Sequence, residues 1–123
     1  MPDITAVTHA QNIRYDRKAE ALYIIDQTLL PNEEKEIRLQ TVDEMVEAIR
    51  ALRVRGAPAI GICAAYCMYV LAKSIRTEDR PTFLRRLSDY GQQLEASRPT
   101  AVNLGWAIRE MMRTALEHVH DTR

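Results

Sequence analysis

Val54-Arg55-Gly56-Ala57-Pro58-Ala59-Ile60-Gly61 sets an arginine and a glycine immediately before a proline that opens a long apolar run. A helix starts with backbone N–H groups that lack an intrahelical acceptor, and its aligned peptide dipoles leave partial positive charge at that end. Proline is tolerated at the first helical position, where its missing N–H costs nothing, and glycine lets the backbone come close to a ligand. The segment therefore has the makings of an anion site suited to a phosphate. It is equally compatible with an ordinary helix start beside a surface arginine.

Outward from this segment, Arg98-Pro99-Thr100-Ala101-Val102-Asn103-Leu104 repeats the arrangement of an arginine just before a proline and a new helix. If the two helices pack side by side and parallel, both N-termini and both cations converge on one anionic group.

Three segments in order, Asp26-Gln27-Thr28-Leu29-Leu30-Pro31, the Val54 to Gly61 stretch, and Arg98 to Leu104 continued by Trp106-Ala107, resemble the amino-terminal region of methylthioribose-1-phosphate isomerases. The likeness runs from about Ile13 to Met111. The wider group includes ribose-1,5-bisphosphate isomerases and regulatory subunits of initiation factor 2B, and the isomerase wording is the nearest of the three. The resemblance implies that Arg55, Gly56, Ala57 and Arg98 contact a phosphosugar. It also implies a larger Rossmann-like domain that carries a catalytic cysteine and aspartate, so that this chain corresponds to the amino-terminal domain alone and holds no catalytic residue. By the same resemblance the reaction turns an aldose phosphate into a ketose phosphate without a metal or organic cofactor. The pocket is then completed by the missing domain or by a second copy.

The chain has 123 residues, enough for one domain with its own core. Charged residues make up 28% and hydrophobic ones 46%, the balance of a globular chain and not of a disordered one. Lys plus Arg equals Asp plus Glu at 17 each, so no overall field draws nucleic acid or an anionic membrane, and anion binding has to be local. Met1-Pro2-Asp3-Ile4-Thr5 lacks the basic start and apolar run of a secretory signal, which points to the cytoplasm. The longest uncharged stretch, from Gly56 to Ala72, is shorter than the roughly 20 residues of a membrane span and reads as a buried helix.

Periodicity divides the chain into an irregular arm over 1–12, a small β-sheet over 13–40 and helices over 41–120. Two strands, 13–16 and 21–26, flank the polar turn Asp16-Arg17-Lys18-Ala19-Glu20, and a third covers 35–40. Thr41-Val42-Asp43-Glu44 is a capping box that opens an amphipathic helix with its stripe at Val42, Met45, Val46, Ile49 and Leu52, ending near Arg53. A second helix runs from Pro58 to about Arg76, nearly apolar and hence central, with Gly61, Ala64 and Ala65 allowing close neighbours. A third carries Phe83, Leu84, Leu87, Tyr90 and Leu94 to about Ser97. The last follows Pro99-Thr100, with Leu104, Ala107, Ile108, Met111, Met112, Ala115, Leu116 and Val119 as its stripe and a frayed final turn. The fold class is α+β, mainly helical: a small antiparallel sheet leading into a four-helix array.

Other residues read as structural. Thr100 suits a helix N-cap better than a substrate contact, Asn103 the orientation of its loop better than a touch to substrate, and Trp106 a packing anchor. Cys63 and Cys67 lie four apart on one helix face, poorly placed for a disulfide, and His9, His118 and His120 are too far along the chain to complete a metal site, so both cysteines belong to the core. Against the family pattern they stand where small residues are usual, Gly105 where a bulkier aromatic is frequent, and Glu110 where arginine is frequent. Asp26 ends a strand, Asp43 and Glu44 open a helix, and neither they nor Asp79 form an acid–base pair. The chain shows no Ser-His-Asp arrangement and no glycine-rich nucleotide loop.

Overall fold

A computed structural model describes residues 12–118 of the chain, with the side chain of residue 118 outside the description. The arm expected over 1–12 lies outside it save for Asn12, whose carbonyl accepts from Ile25 N at 2.8 Å. The frayed end expected for the last helix, with His9 and His120, also falls outside the described residues.

Strand β1 (Ile13–Asp16) turns back into β2 (Ala21–Ile25) because Asp16 Oδ1 accepts from the N–H groups of Lys18 and Ala19, at 3.0 and 3.1 Å. β3 (Glu36–Leu39) adds antiparallel to β2, giving the order β1-β2-β3. The registers Ile13↔Ile24, Leu22↔Leu39 and Ile24↔Ile37 put the aliphatic side chains on one face. The other face carries Arg14, which forks onto Glu36 and lies 4.3 Å from the centre of the Tyr23 ring. The second strand stops one residue short of the expected Asp26, whose side chain instead caps a single 3-10 turn, Gln27–Leu29.

Helix α1 (Val42–Arg50) opens on the expected capping box, in which Glu44 N donates to Thr41 Oγ1 while Glu44 Oε1 accepts from Thr41 N. Met45, Ala48 and Ile49 are buried, but the helix ends before Arg53. Leu52 N donates to Ile49 O and Arg53 N to Ala48 O, the paired bonds of a Schellman turn. Leu52 therefore leaves the apolar stripe: it adopts φ 63° and is exposed.

Helix α2 (Ala57–Ser74) is long and apolar enough to cross a membrane by length and composition, yet eight of its residues are buried within the fold. The sheet covers one side of it, where Tyr15 stacks on Tyr66 at 5.9 Å and meets Tyr69 edge-on at 5.3 Å. Helix α3 (Arg80–Ser97), capped by Asp79 on Thr82 N, and helix α4 (Val102–His118) cover the rest. α3 runs antiparallel to α4, since Arg80 Nη2 reaches Leu116 O while Glu95, near the other end of α3, pairs with Arg109. α1 packs on α3. One core unites Leu22, Ile24, Met45, Ile49, Met68, Leu94 and Leu104, and both cysteines lie in it.

Two expectations for α4 are corrected. Trp106 is 60% exposed and anchors no packing, because the buried stripe of the helix runs through Leu104, Ala107 and Ile108 and leaves Trp106 on the opposite side. Thr100 is not the N-cap: the helix starts at Val102, and Ala101 holds the position before it, accepting from Gly105 N at 3.3 Å.

Candidate phosphate-anchoring site

The two arginine-preceded helix starts come to the same end of the helical array. An added Cβ on Gly61 of α2 would lie 3.5 Å from Asn103 Cβ of α4, so the second turn of α2 adjoins the first turn of α4. Further along, Met68 and Ala72 of α2 line one cleft with Met111 and Ala115 of α4. The order of these positions along both helices makes α2 and α4 parallel neighbours. Their positive dipole ends therefore point the same way.

At the first start, Val54 is buried and anchors the loop, while Arg55, Gly56, Ala57 and Pro58 are exposed. The helix begins at Ala57, one residue before the expected Pro58, so proline takes the second helical position. Gly56 adopts φ 92° and ψ 134°, a conformation that L side chains rarely enter, and an added Cβ there would meet nothing within 4 Å. The glycine is needed for its backbone, and the space beside it is open to a ligand. Gly56 O accepts from Ile60 N at 2.9 Å, and the N–H groups of Ala57 and Ala59 in the first turn have no intrahelical acceptor.

At the second start, Arg98 O accepts from Ala101 N at 3.0 Å with Pro99 at the corner, a β-turn that redirects the chain from α3 into α4. Arg98 is half-buried. Among the described residues neither Arg55 nor Arg98 makes an ion pair, whereas Arg14, Arg53, Arg109 and Arg113 all face carboxylates. A guanidinium is permanently charged and matches two phosphate oxygens at once. The arrangement offers two such cations and two helix N-termini at one end of the molecule.

Residues 53–123 match the Initiation factor 2 subunit family, and the match takes in both helix starts. The chain belongs to this family. Among its relatives, the methylthioribose-1-phosphate isomerase of Trichormus variabilis is 52% identical over 94 residues, 76% of this chain and 27% of that protein. The 5-deoxyribose 1-phosphate isomerase of Clostridium botulinum is 41% identical over 106 residues, 86% of this chain and 30% of the relative. In structure, the 5-methylthioribose 1-phosphate isomerase of Pyrococcus horikoshii superposes with TM-score 0.81 at 36% identity over 89% of this chain and 30% of its own. The delta subunit of translation initiation factor eIF-2B from A. fulgidus follows with TM-score 0.79 at 35% identity, covering 86% of this chain and 30% of its own. The chain thus spans less than a third of the length of these family members. Its sheet and four helices match the amino-terminal part of their fold.

A cleft lies at the far end of the helices from Arg55. About 790 Å³ in volume, it is walled by Met68, Ala72, Phe83, Leu87, Met111 and Ala115.

Sequence reading passed over one charged cluster beside the site. Asp26, almost fully buried, accepts from Thr28 N at 3.0 Å, from Thr28 Oγ1 at 2.6 Å and from Arg53 Nη1 at 2.9 Å. Burial pushes its carboxyl up, but the Thr28 bonds and the Arg53 guanidinium outweigh that and hold it below the usual carboxylate range. The Asp-Gln-Thr spacing carries a local signal for the cap on Thr28. Nothing local identifies Arg53, 27 residues away, as the partner.

Proposed function

We propose that this chain is the amino-terminal, phosphosugar-binding part of an aldose–ketose isomerase that converts 5-methylthioribose 1-phosphate to 5-methylthioribulose 1-phosphate, a step of methionine salvage. The observation that carries the reading is the parallel pairing of α2 with α4, which sets two arginine-flanked helix starts side by side. The names of the similar isomerases support the substrate class.

In this reading Arg55, the backbone at Gly56 and Ala57, and Arg98 anchor the phosphate of the sugar. Fixed anchoring turns remote binding energy into orientation at the reacting carbons. The cysteine and aspartate that open the ring and move a proton between C1 and C2 belong to a further domain, so the 123 residues by themselves bind without turnover. Val102 and Trp106, one turn apart at the start of α4 and 77% and 60% exposed, provide apolar surface for that domain or a second copy to cover. A cytoplasmic location, with no nucleic-acid or membrane partner and no cofactor, completes the proposal.

The test is an amide NMR titration of the chain with 5-methylthioribose 1-phosphate, with inorganic phosphate as control. Saturable shifts centred on residues 55–59 and 98–101, larger for the sugar phosphate and lost in Arg55→Ala, are the expected result. Isomerase turnover by this chain, abolished in Arg55→Ala, would contradict the assignment of catalysis to another domain. A second reading, a ligand-sensing regulatory module, is favoured by the nearly equal likeness to the eIF-2B delta subunit. It is distinguished by sugar-phosphate or nucleotide binding that persists without turnover once the natural downstream sequence is joined.

A further inference from the structure

We infer that Asp26 and Arg53 are positioning residues: together they hold the Arg55-Gly56-Ala57 loop in the shape that presents its cation and backbone N–H groups. The role of that loop as a phosphate anchor rests on the function proposed above.

The loop is held at both ends of Arg53. Its carbonyl accepts from Gln27 N at 2.9 Å, and its N–H donates to Ala48 O at 2.9 Å, so the main chain is tied to the turn after β2 and to the end of α1 at once. Its guanidinium donates to Asp26 Oδ2 at 2.9 Å and Thr28 Oγ1 at 3.2 Å on one side. On the other it forks onto Glu47 of α1, with Nε–Oε1 at 2.9 Å and Nη2–Oε2 at 2.8 Å. The Asp26 end of this bridge is buried and the Glu47 end is exposed, so Asp26 is the partner whose loss is felt. Only buried Val54 separates Arg53 from Arg55. With Arg53 fixed and Val54 in the core, Arg55 has to emerge at the surface directly ahead of Gly56 and its positive φ. The φ of 63° at Leu52, just before Arg53, belongs to the Schellman turn that ends α1, so the segment leaves from a defined helix end.

The charged groups facing Asp26 are Arg53 and, beyond it, Glu47; Thr28 supplies the neutral donors. Protonating Asp26 therefore loosens Arg53 from the strand side and releases the loop.

The experiment uses the ligand-free 123-residue chain and reads amide hydrogen exchange in wild type and Asp26→Asn. We expect exchange at Gln27 and Arg53, whose N–H groups close the two main-chain ties of the loop, to accelerate at least tenfold in the variant, while Met45 and Ile49 in α1 change less than threefold. Equal acceleration of loop and helix, or no change in the loop, overturns the inference. Should Asp26→Asn fail to fold, a pH titration of wild type decides: Arg55 to Ala57 amide shifts that follow the midpoint of the Asp26 side-chain carbon support it, and shifts that stay flat through that midpoint overturn it. Rescue by Asp26→Glu in the exchange experiment separates charge-based positioning from loss of a packed side chain. A wild-type chain that shows the loop response but no shift with inorganic phosphate or 5-methylthioribose 1-phosphate sinks the anchoring function and leaves the positioning intact.

Discussion

Gly91 of α3 lies so close to Ile108 of α4 that a Cβ on the glycine would stand 2.9 Å from Ile108 Cγ2. The contact sets how closely the two antiparallel helices approach, and Met68 of α2 completes the same junction. Ile108 is buried and β-branched, so it cannot swing aside.

Gly91→Ala is expected to destabilise the chain. Replacing a helical glycine by alanine gains about 0.5–1 kcal/mol, but overpacking a filled core costs about 1–3 kcal/mol. The clash wins, and urea unfolding should show a net loss of about 1 kcal/mol. Gly61→Ala is the contrast: its added Cβ would meet Asn103 at an ordinary 3.5 Å, so the helical gain should survive. An equal response in the two variants would refute the packing described for α3 and α4.

Leu52→Gly should stabilise the end of α1. Leucine at φ 63° bears a strain that glycine does not, and its side chain is already 39% exposed, so little burial is lost. Relief of about 1–2 kcal/mol less about 0.5–1 kcal/mol of added chain entropy leaves a gain of about 0.5–1 kcal/mol, measurable as a higher urea midpoint. A loss instead would mean that the Leu52 side chain packs more than its exposure indicates.

Acid should weaken the fold through Asp26. Its carboxyl is held below the usual range in the folded state, so the stability it contributes is complete above its unfolded value, about 4. That contribution is lost as pH falls through the lower folded value. Glu47, lowered by its bonds from Arg53 and more exposed, adds less. Asp26→Asn should be less stable than wild type at pH 7 and approach it at pH 3, as followed by thermal unfolding across that range. A difference between the two proteins that stays constant with pH would remove the carboxylate from this role.

Cys63 and Cys67 should resist thiol reagents in the native chain. Their sulfurs are 3.9 Å apart and fully buried. The Cys63 hydrogen bond, with burial behind it, pushes the Cys67 thiol well above its ordinary value and suppresses the reactive thiolate. Labelling at pH 8 should therefore await denaturant and then reach both cysteines. Fast native labelling would mean that α2 opens locally.

Elements whose causes are local could be read from the amino-acid sequence alone. The Thr41–Glu44 capping box, the alternation in β3, the apolar run of α2, Pro81 in the first turn of α3 and Pro99 ahead of α4 all act within a few residues, and each element formed close to its expected place. The two arginine-preceded helix starts were legible for the same reason. Features that rest on contacts between distant residues emerged only with the fold. Trp106 lies off the apolar stripe of α4, yet its bulk suggested a packing anchor, and only the fold showed it 60% exposed. Asp26 looked like the end of a strand until the fold brought Arg53 against it. The shared direction of α2 and α4, on which the candidate site depends, was a condition in the sequence and became a fact only when Gly61 met Asn103. Local propensity reads one turn at a time, whereas the convergence of two helix ends is set by how the whole core packs.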